Sequence, residues 1–218
     1  MAMPSKPKKG GYHHPDLRTA LLDAAARMIK KDGVAGFSLR ELAKRAGVSH
    51  TAPYRHFENK EEILANLMLE GHRRLRAHLL ASRKAHPDSA AEQLGDLSRA
   101  YLAFARANPE YLHVMFSRAG MEAAMAVGAK LSFNHEDIDS FGVLEATIKD
   151  CQAEGTMDPK VDSGALSMHA WSTVHGLALL ANEGMIAGMA EQRGIDESAA
   201  IDTIFEISRS RLRRPGKP

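Results

Sequence analysis

Hydrophobic residues recur every three to four positions along most of the chain, which is the period of an amphipathic α-helix. In the first such stretch Leu17, Leu21, Ala25 and Ile29 share one side of a helix, which we expect to end at Gly33. No stretch shows the sustained alternation, rich in β-branched residues, that is typical of a strand. The pattern therefore predicts an all-α protein.

Two short helices follow the first one. Ser38 with Glu41 three residues later is a capping-box pattern, and it predicts a helix over residues 39–45. A short turn with Gly47, where we expect a positive φ, leads to a second short helix over residues 49–56. Two short helices joined in this way are typical of a helix-turn-helix, whose second helix enters the major groove of DNA. We therefore predict a three-helix DNA-binding head on a larger helical body.

The remainder of the chain keeps the helical period. Asn59 is expected to cap a long helix, and Pro87 marks a break after it. The predicted helices cover residues 60–83, 89–107, 109–118, 121–129, 134–154, 162–189 and 196–212. The predicted parts of the chain are a flexible basic leader (1–14), the helix-turn-helix domain (15–75), a C-terminal helical domain (76–212) and a flexible tail (213–218).

Composition excludes several classes of protein. Hydrophobic residues make up 44% and charged residues 26% of the chain, the balance of a folded globular protein rather than a disordered one. No window approaches the run of about 18 apolar residues that a membrane span requires. Cys151 is the only cysteine, so an intramolecular disulfide is impossible and a reducing cytoplasm is the expected location.

Charge is divided unevenly along the chain. Residues 1–60 hold 12 Lys and Arg against 5 Asp and Glu, whereas residues 61–218 hold 17 against 22. A basic head on an acidic body is the asymmetry that a polyanion-binding module produces. Lys6, Lys8 and Lys9 contribute three of the positive charges, so a solvated leader is the alternative explanation.

The motifs of the head resemble a known family. FSLRELA at residues 37–43, AGVS at 46–49, YRHF at 54–57 and NKEEIL at 59–64 stand in the order and spacing of the TetR/AcrR family, which this sequence closely resembles. The resemblance implies an all-α homodimer, usually a repressor, that leaves its operator when a small molecule binds the C-terminal domain.

The predicted second short helix offers four side chains to DNA at its N-terminal end. Ser49, His50, Thr51 and Ala52 are expected to face outward, where base edges are met. His50 can donate to a base or a phosphate, and Thr51 and Ala52 suit the methyl group of thymine. Pro53 departs from the family pattern, in which Leu is common. We expect the loss of one amide donor at modest cost, together with the loss of a core contact.

Further predicted DNA contacts flank this helix. Ser38 can meet a phosphate or serve only as a cap, and Arg40 can reach the DNA or remain solvated. By resemblance, Tyr54 and His56 match a pair that contacts the DNA backbone, and Lys60 matches a cation beside a phosphate. Core packing is the alternative for Tyr54 and, less so, for Lys60.

A second resemblance lies in the C-terminal part. Trp171, His175 and Gly176 resemble the Trp-His-Gly motif of one C-terminal domain class in the same family. Trp171 and His175 share one face of a helix, where they either line an effector cavity or pack in the core. The other residues predicted to line a largely apolar cavity, with core packing as the alternative, are Tyr101, Phe104, Met115, Phe116, Phe141 and Met168.

The last two predicted helices carry long apolar faces, which include Leu177, Leu180, Ile201 and Ile207. Two such helices from each subunit can form a four-helix bundle between subunits. We therefore expect a homodimer on a near-palindromic operator.

The sequence favours no enzymatic alternative. The histidines do not fall at metal-ligand spacings, and no phosphate-binding loop, nucleophile elbow or carboxylate pair is present. We predict no bound metal, no cofactor and no enzymatic activity. The expected partners are double-stranded operator DNA and a small-molecule effector.

Overall fold

A computed structural model describes residues 17–34, 36–127 and 135–212. Within these ranges every regular element is a helix, which confirms the predicted all-α class. The predicted leader, the predicted tail and the predicted helix ends at residues 128–129 and 134 lie outside the described residues.

The head is built from short helices and the start of a long one. In chain order these elements are α1 (Leu17–Asp32), α2 (Leu39–Arg45), a 3₁₀ helix (Pro53–Arg55) and α3 (Lys60–Ser82). The body continues with a 3₁₀ turn (Arg83–Ala85), α4 (Ala90–Ala107), α5 (Pro109–Met115), α6 (Arg118–Val127), α7 (His135–Ile138), α8 (Ser140–Ala153), α9 (Ser163–Asn182), α10 (Met185–Glu191) and α11 (Glu197–Leu212).

Side-chain caps determine where α2 and α3 begin. Oγ of Ser38 accepts a hydrogen bond from the amide of Glu41 at 3.3 Å, and Oδ1 of Asn59 accepts one from the amide of Glu62 at 2.8 Å. Each cap pairs an amide that the first helical turn leaves without a backbone partner. The predicted starts of both helices are confirmed.

Two predicted helices are interrupted in the structure. The segment predicted over 162–189 divides into α9 and α10, because Gly184 adopts a φ of 72° and ends the right-handed helix. The segment predicted over 134–154 divides at Asp139, whose carboxylate accepts the amide of Gly142 at 2.7 Å and caps α8. The prediction of one uninterrupted helix in each segment is therefore wrong.

One hydrophobic core runs through the head and into the body. Phe37 and Phe57, which lie before α2 and before α3, are buried among the apolar faces of α1, α2 and α3. α3 then continues into the body, where it packs against α4, α5, α6 and α8 and buries Leu75 and Leu79. α3 is therefore the element that the head and the body share.

Candidate DNA interface and ligand cavity

The turn after α2 is the turn of the predicted helix-turn-helix. Gly47 has a φ of 67°, as predicted, and the space around the position of a Cβ atom is open. The backbone conformation, rather than crowding, therefore favours glycine. The amide of Val48 donates to the carbonyl of Ala43 at 3.0 Å, and the Val48 side chain packs against the core. These contacts set the direction of the segment that follows.

That segment is not the α-helix predicted over residues 49–56. The amide of Ala52 donates to the carbonyl of Ser49 at 3.0 Å, and only Pro53–Arg55 forms a short 3₁₀ helix. Because Pro53 has no amide hydrogen, the bond from residue 53 to Ser49 that would start an α-helix cannot form. The effect of Pro53 is thus larger than expected. Its side chain is buried and occupies the core position that we expected to lose its contact.

The recognition segment, residues 49–56, presents polar side chains at its outer surface. Ser49, His50 and Thr51 are exposed, and the hydroxyl oxygens of Ser49 and Thr51 lie 3.2 Å apart. Ala52 is only 8% exposed, so the prediction that it faces outward is wrong. The turn directs Ala52 inward together with Pro53, and neither side chain offers a surface to DNA.

Aromatic and basic side chains extend this polar surface. Tyr54 is 59% exposed, so core packing does not explain it, and His56 is half-buried beside it. Arg55 and Arg40 are also exposed, and neither has an ion-pair partner in the described part of the chain. Arg55 was not among the predicted contacts. Its position between two predicted contacts in a basic head could have indicated that it also faces the DNA.

Ser38 and Lys60 both hold the head together. Ser38 serves as the cap of α2, and its hydroxyl hydrogen can still be donated to a phosphate oxygen. The Lys60 ammonium donates to the carbonyl of Val34, which ties the start of α3 to the loop after α1. Its other hydrogens remain for further acceptors. A structural role and a DNA contact are therefore compatible at both positions.

A cavity of about 180 Å³ lies in the body between α3, α4, α8 and α9. Hydrophobic side chains form most of its wall, and its lining, as far as the chain is described, contains no Asp, Glu, Lys or Arg. Phe141 and Met168 are partly exposed and lie where the cavity meets the surface. The predicted effector-binding residues that line it are Tyr101, Phe116, Phe141, Met168 and Trp171.

Two predicted cavity residues lie in the core instead. Phe104 is buried on α4, and Met115 is buried at the end of α5. Met115 packs so closely on Gly71 of α3 that a Cβ atom there would come within 2.5 Å of its sulfur. Both residues therefore pack in the core, which was the alternative to lining the cavity, because neighbouring helices cover their sides of α4 and α5.

His175 supports the cavity wall from behind. Its Nδ1 lies 2.7 Å from the hydroxyl oxygen of Tyr101, so the two groups share a hydrogen bond. Its ring stacks on Trp171 with the centroids 5.1 Å apart, and the ring of Phe116 lies 4.5 Å away. Burial lowers the pKa of His175, which favours the neutral ring. Trp171 thus lines the cavity, and His175 positions the three aromatic side chains around it.

A polar pair on the cavity wall is not among the residues predicted from the sequence. Nδ1 of His72 lies 3.1 Å from Oγ of Ser140, and both residues line the cavity. Burial lowers the pKa of His72, and the nearby carboxylate of Asp139 opposes this effect in part. The sequence pattern could have indicated His72 as a cavity residue, because it lies on the same side of α3 as Leu75 and Leu79.

Other chemistry has little support in the described residues. They contain no group of three or more His, Cys, Asp or Glu placed to hold a metal ion. None of the described helices is both long enough and apolar enough to cross a membrane. Cys151 is buried, and burial raises the pKa of its thiol to about 11, which favours the unreactive thiol.

Comparison with known protein families gives matches in both parts of the chain. Residues 21–67 match the family described as bacterial regulatory proteins, tetR family. Residues 94–202 match the family described as tetracyclin repressor-like, C-terminal domain. The first match includes the recognition segment, and the second includes most of α4 and all of α8 and α9 beside the cavity. The Trp-His-Gly class stays a prediction.

Individual relatives agree with these matches. The chain is 38% identical over 52 residues to the HTH-type transcriptional regulator AcrR of Shigella flexneri, a match that covers 24% of each protein. It is 33% identical over 96 residues to the uncharacterized HTH-type transcriptional regulator YobS of Bacillus subtilis, covering 42% of this chain and 47% of YobS. The chain thus matches less than half the length of these relatives.

A solved structure is similar over nearly the whole chain. It is a protein of unknown function from Rhodococcus sp. RHA1, with 30% sequence identity and a TM-score of 0.72. The similarity covers 94% of this chain and 100% of that one, so head and body occur together in the same arrangement in both.

Proposed function

This chain belongs to the TetR family of bacterial regulatory proteins and is a DNA-binding transcriptional regulator, and we propose that it is a homodimeric repressor released from its operator by a small molecule. The observation that carries this proposal is the course of α3. The helix begins at Lys60, beside the predicted DNA contacts, and its residues His72, Leu75 and Leu79 line the cavity. A molecule in the cavity therefore acts on the same rigid element that supports the recognition segment.

We propose that the recognition segment enters the major groove and that its flanks hold phosphates. The exposed side chains of Ser49, His50 and Thr51 suit base edges, because hydroxyl and imidazole groups can donate and accept there. Exposed cations and hydrogen-bond donors beside them suit the DNA backbone. The proposed backbone contacts are Ser38, Arg40, Tyr54, Arg55, His56 and Lys60.

The outer face of α9 supports a homodimer. None of the residues of α9, Ser163–Asn182, is Asp, Glu, Lys or Arg, yet Leu179 and Leu180 are each more than two-fifths exposed. Open space surrounds the position of a Cβ at Gly176, so another helix can approach closely there. Ile207 on α11 is also exposed, whereas Leu177 and Ile201 are buried within the chain. We propose that Leu180 and Ile207 contribute to the dimer interface.

We propose that the head and the body of the chain have different functions. Residues 15–75 bind DNA, and residues 76–212 bind the effector and dimerise, with α3 continuing across the boundary between them. Regulation of transcription places such a protein in the cytoplasm, where its operator is. Regulation through binding requires no catalytic group, in line with the family of regulators to which the chain belongs.

Affinity selection on fragments of the genomic DNA tests this proposal. The purified chain should enrich a short near-palindromic sequence, with half-sites spaced by one or a few turns of DNA. Enrichment of a single half-site would contradict the dimer, and no enrichment would contradict operator binding. The genes beside the enriched site would then show whether bound protein represses their transcription.

A further inference from the structure

We propose that the cavity binds an uncharged compound with a single ring and one hydroxyl group, which the His72–Ser140 pair recognises. The inference rests on the proposed ligand response and names the chemical class of the ligand. Three observations carry it: the size of the cavity, the absence of charged residues from its described lining, and the hydrogen-bonding capacity that its polar groups still have.

The size of the cavity limits the ligand to one ring. Its volume is about 180 Å³. Apolar cavities of roughly 150 Å³ hold benzene, whereas sites for drug-sized ligands begin at about 300 Å³. The aromatic side chains of Phe116 and Trp171 on the wall offer flat apolar surface to such a ring. A ring with one or two small substituents therefore fits the available space.

The lining excludes an ionised ligand. An ion that leaves water for an apolar site loses its hydration, and only an opposite charge or several hydrogen bonds compensate for that loss. The described wall supplies no cationic or anionic side chain. The carboxylate of Asp139, next to Ser140 in sequence, accepts the amide of Gly142 at the start of α8. Nothing on the described wall therefore balances a charge on the ligand.

The polar groups of the cavity wall differ in how many further hydrogen bonds they can form. The hydroxyl of Tyr101 shares a hydrogen bond with His175, and the hydroxyl of Ser98 donates to the carbonyl of Leu94 at 3.2 Å. His72 and Ser140 bond only to each other among the described residues. Whichever of the two donates, the pair keeps one donor and two acceptor lone pairs. A hydroxyl group, which both donates and accepts, is the complement of such a pair.

Three probes with the same ring separate these features. p-Cresol carries a hydroxyl group, p-xylene carries a methyl group in its place, and p-toluate carries a carboxylate. Binding to the full chain is measured by calorimetry at neutral pH and by the fluorescence of Trp171, the sole tryptophan. We expect p-cresol to bind about tenfold more tightly than p-xylene, and p-toluate to bind most weakly.

Substitutions test whether the His72–Ser140 pair causes the preference for p-cresol. His72→Leu and Ser140→Ala should each reduce the p-cresol to p-xylene preference to about twofold or less, and p-xylene that still binds to each variant shows that the cavity is folded. Ser98→Ala is the matched control, because it removes a wall hydroxyl that is already bonded to the backbone. This variant should keep the tenfold preference.

Each other result overturns part of the proposal. Equal affinity for p-cresol and p-xylene, or a preference that survives both variants, contradicts recognition by His72 and Ser140. Tightest binding of p-toluate contradicts an uncharged ligand, and no binding of any probe at millimolar concentration contradicts the single ring. These measurements need no DNA. A probe that binds without releasing the operator therefore contradicts the proposed repressor mechanism and leaves the ligand class supported.

Discussion

The hydroxyl of Tyr111 donates a hydrogen bond of 2.8 Å to Oδ1 of Asp23, and this bond joins α5 to α1 of the DNA-binding head. The same oxygen accepts from Arg74 of α3 at 3.3 Å, and the Arg74 guanidinium lies 4.5 Å from the centre of the Tyr111 ring. Phe116, which lines the cavity, directly follows α5. The cavity wall and the head are thus joined by one short helix.

Tyr111→Phe removes this hydrogen bond and retains the ring. We expect the free energy of unfolding to fall by about 1 kcal/mol, the net value of one hydrogen bond. We also expect the effector to weaken operator binding less than it does in the wild type, because α5 is less firmly held to α1. Fluorescence anisotropy with labelled operator, with and without effector, measures the second effect.

Glu110→Gln is the control for this prediction. It alters the long surface ion pair of Glu110 with Lys30, at 3.8 Å, in which the Lys30 side chain is 56% exposed and the Glu110 side chain is 19% exposed. Such surface pairs contribute little. An effector response that is equal in Tyr111→Phe and the wild type would show that the Tyr111–Asp23 bond does not transmit the signal.

Pro53→Ala should extend the helical part of the recognition segment toward Ser49. The new amide of residue 53 can donate to the carbonyl of Ser49, which is the bond that starts an α-helix there. Hydrogen exchange monitored by NMR should show a protected amide at position 53. Pro109→Ala is the comparison, since Pro109 lies in the first turn of α5, where an amide has no helical partner. Rapid exchange at residue 53 would mean that Pro53 does not limit the helix.

A charge on the outer face of α9 should dissociate the dimer. Leu180→Glu places a carboxylate where we expect apolar contact between subunits, and desolvation of that charge opposes association. Light scattering at micromolar concentration should give the mass of a dimer for the wild type and of a monomer for the variant. Met125→Glu adds the same charge to another exposed apolar side chain and should remain dimeric. If Leu180→Glu is also dimeric, α9 is not the interface.

Stability should decrease in mild acid because of His72. Burial lowers its pKa in the folded state below the ordinary value of 6.5, while Asp139 acts in the opposite direction. The unfolded chain therefore binds more protons once the pH falls below 6.5, and the stability present above that value is lost as the pH falls through it toward the folded-state pKa. Urea unfolding at pH 7.5 and 5.5 should show a smaller loss for His72→Gln than for the wild type.

The His72→Gln variant should keep part of this loss, because burial lowers the pKa of His175 in the same direction. His86 behaves oppositely, since its hydrogen bond with Asp96 raises its pKa. An acid-induced loss of equal size in His72→Gln and the wild type would contradict a role for His72.

Features that depend on local chemistry were predictable from the sequence. Ser38 and Asn59 cap helices through contacts within three residues, and Gly47 adopts a positive φ that other residues resist. These interactions require no knowledge of the rest of the fold. Pro53 was also a local signal, but its effect was underestimated because the missing amide lies where the helix has to begin.

Features that depend on packing between helices were not predictable. Phe104 and Phe116 are both apolar and both fit the helical period of hydrophobic residues, yet only Phe116 lies on the cavity wall. Which side of α4 or α5 faces another helix depends on partners that are distant in sequence. His72 and Ser140 lie 68 residues apart, so nothing local indicates their hydrogen bond. The cavity therefore emerges only from the assembled body.

Fluorescence anisotropy with the selected operator tests most directly whether the exposed recognition segment binds operator DNA. Replacing Tyr54 and His56 together by Ala should weaken binding by at least about a hundredfold, because each protomer loses two contacts. Arg55→Ala, at an exposed site outside the core, should weaken binding less and reduce its dependence on salt. All variants should melt at the wild-type temperature. Operator affinity that is unchanged in the folded double variant would contradict the account.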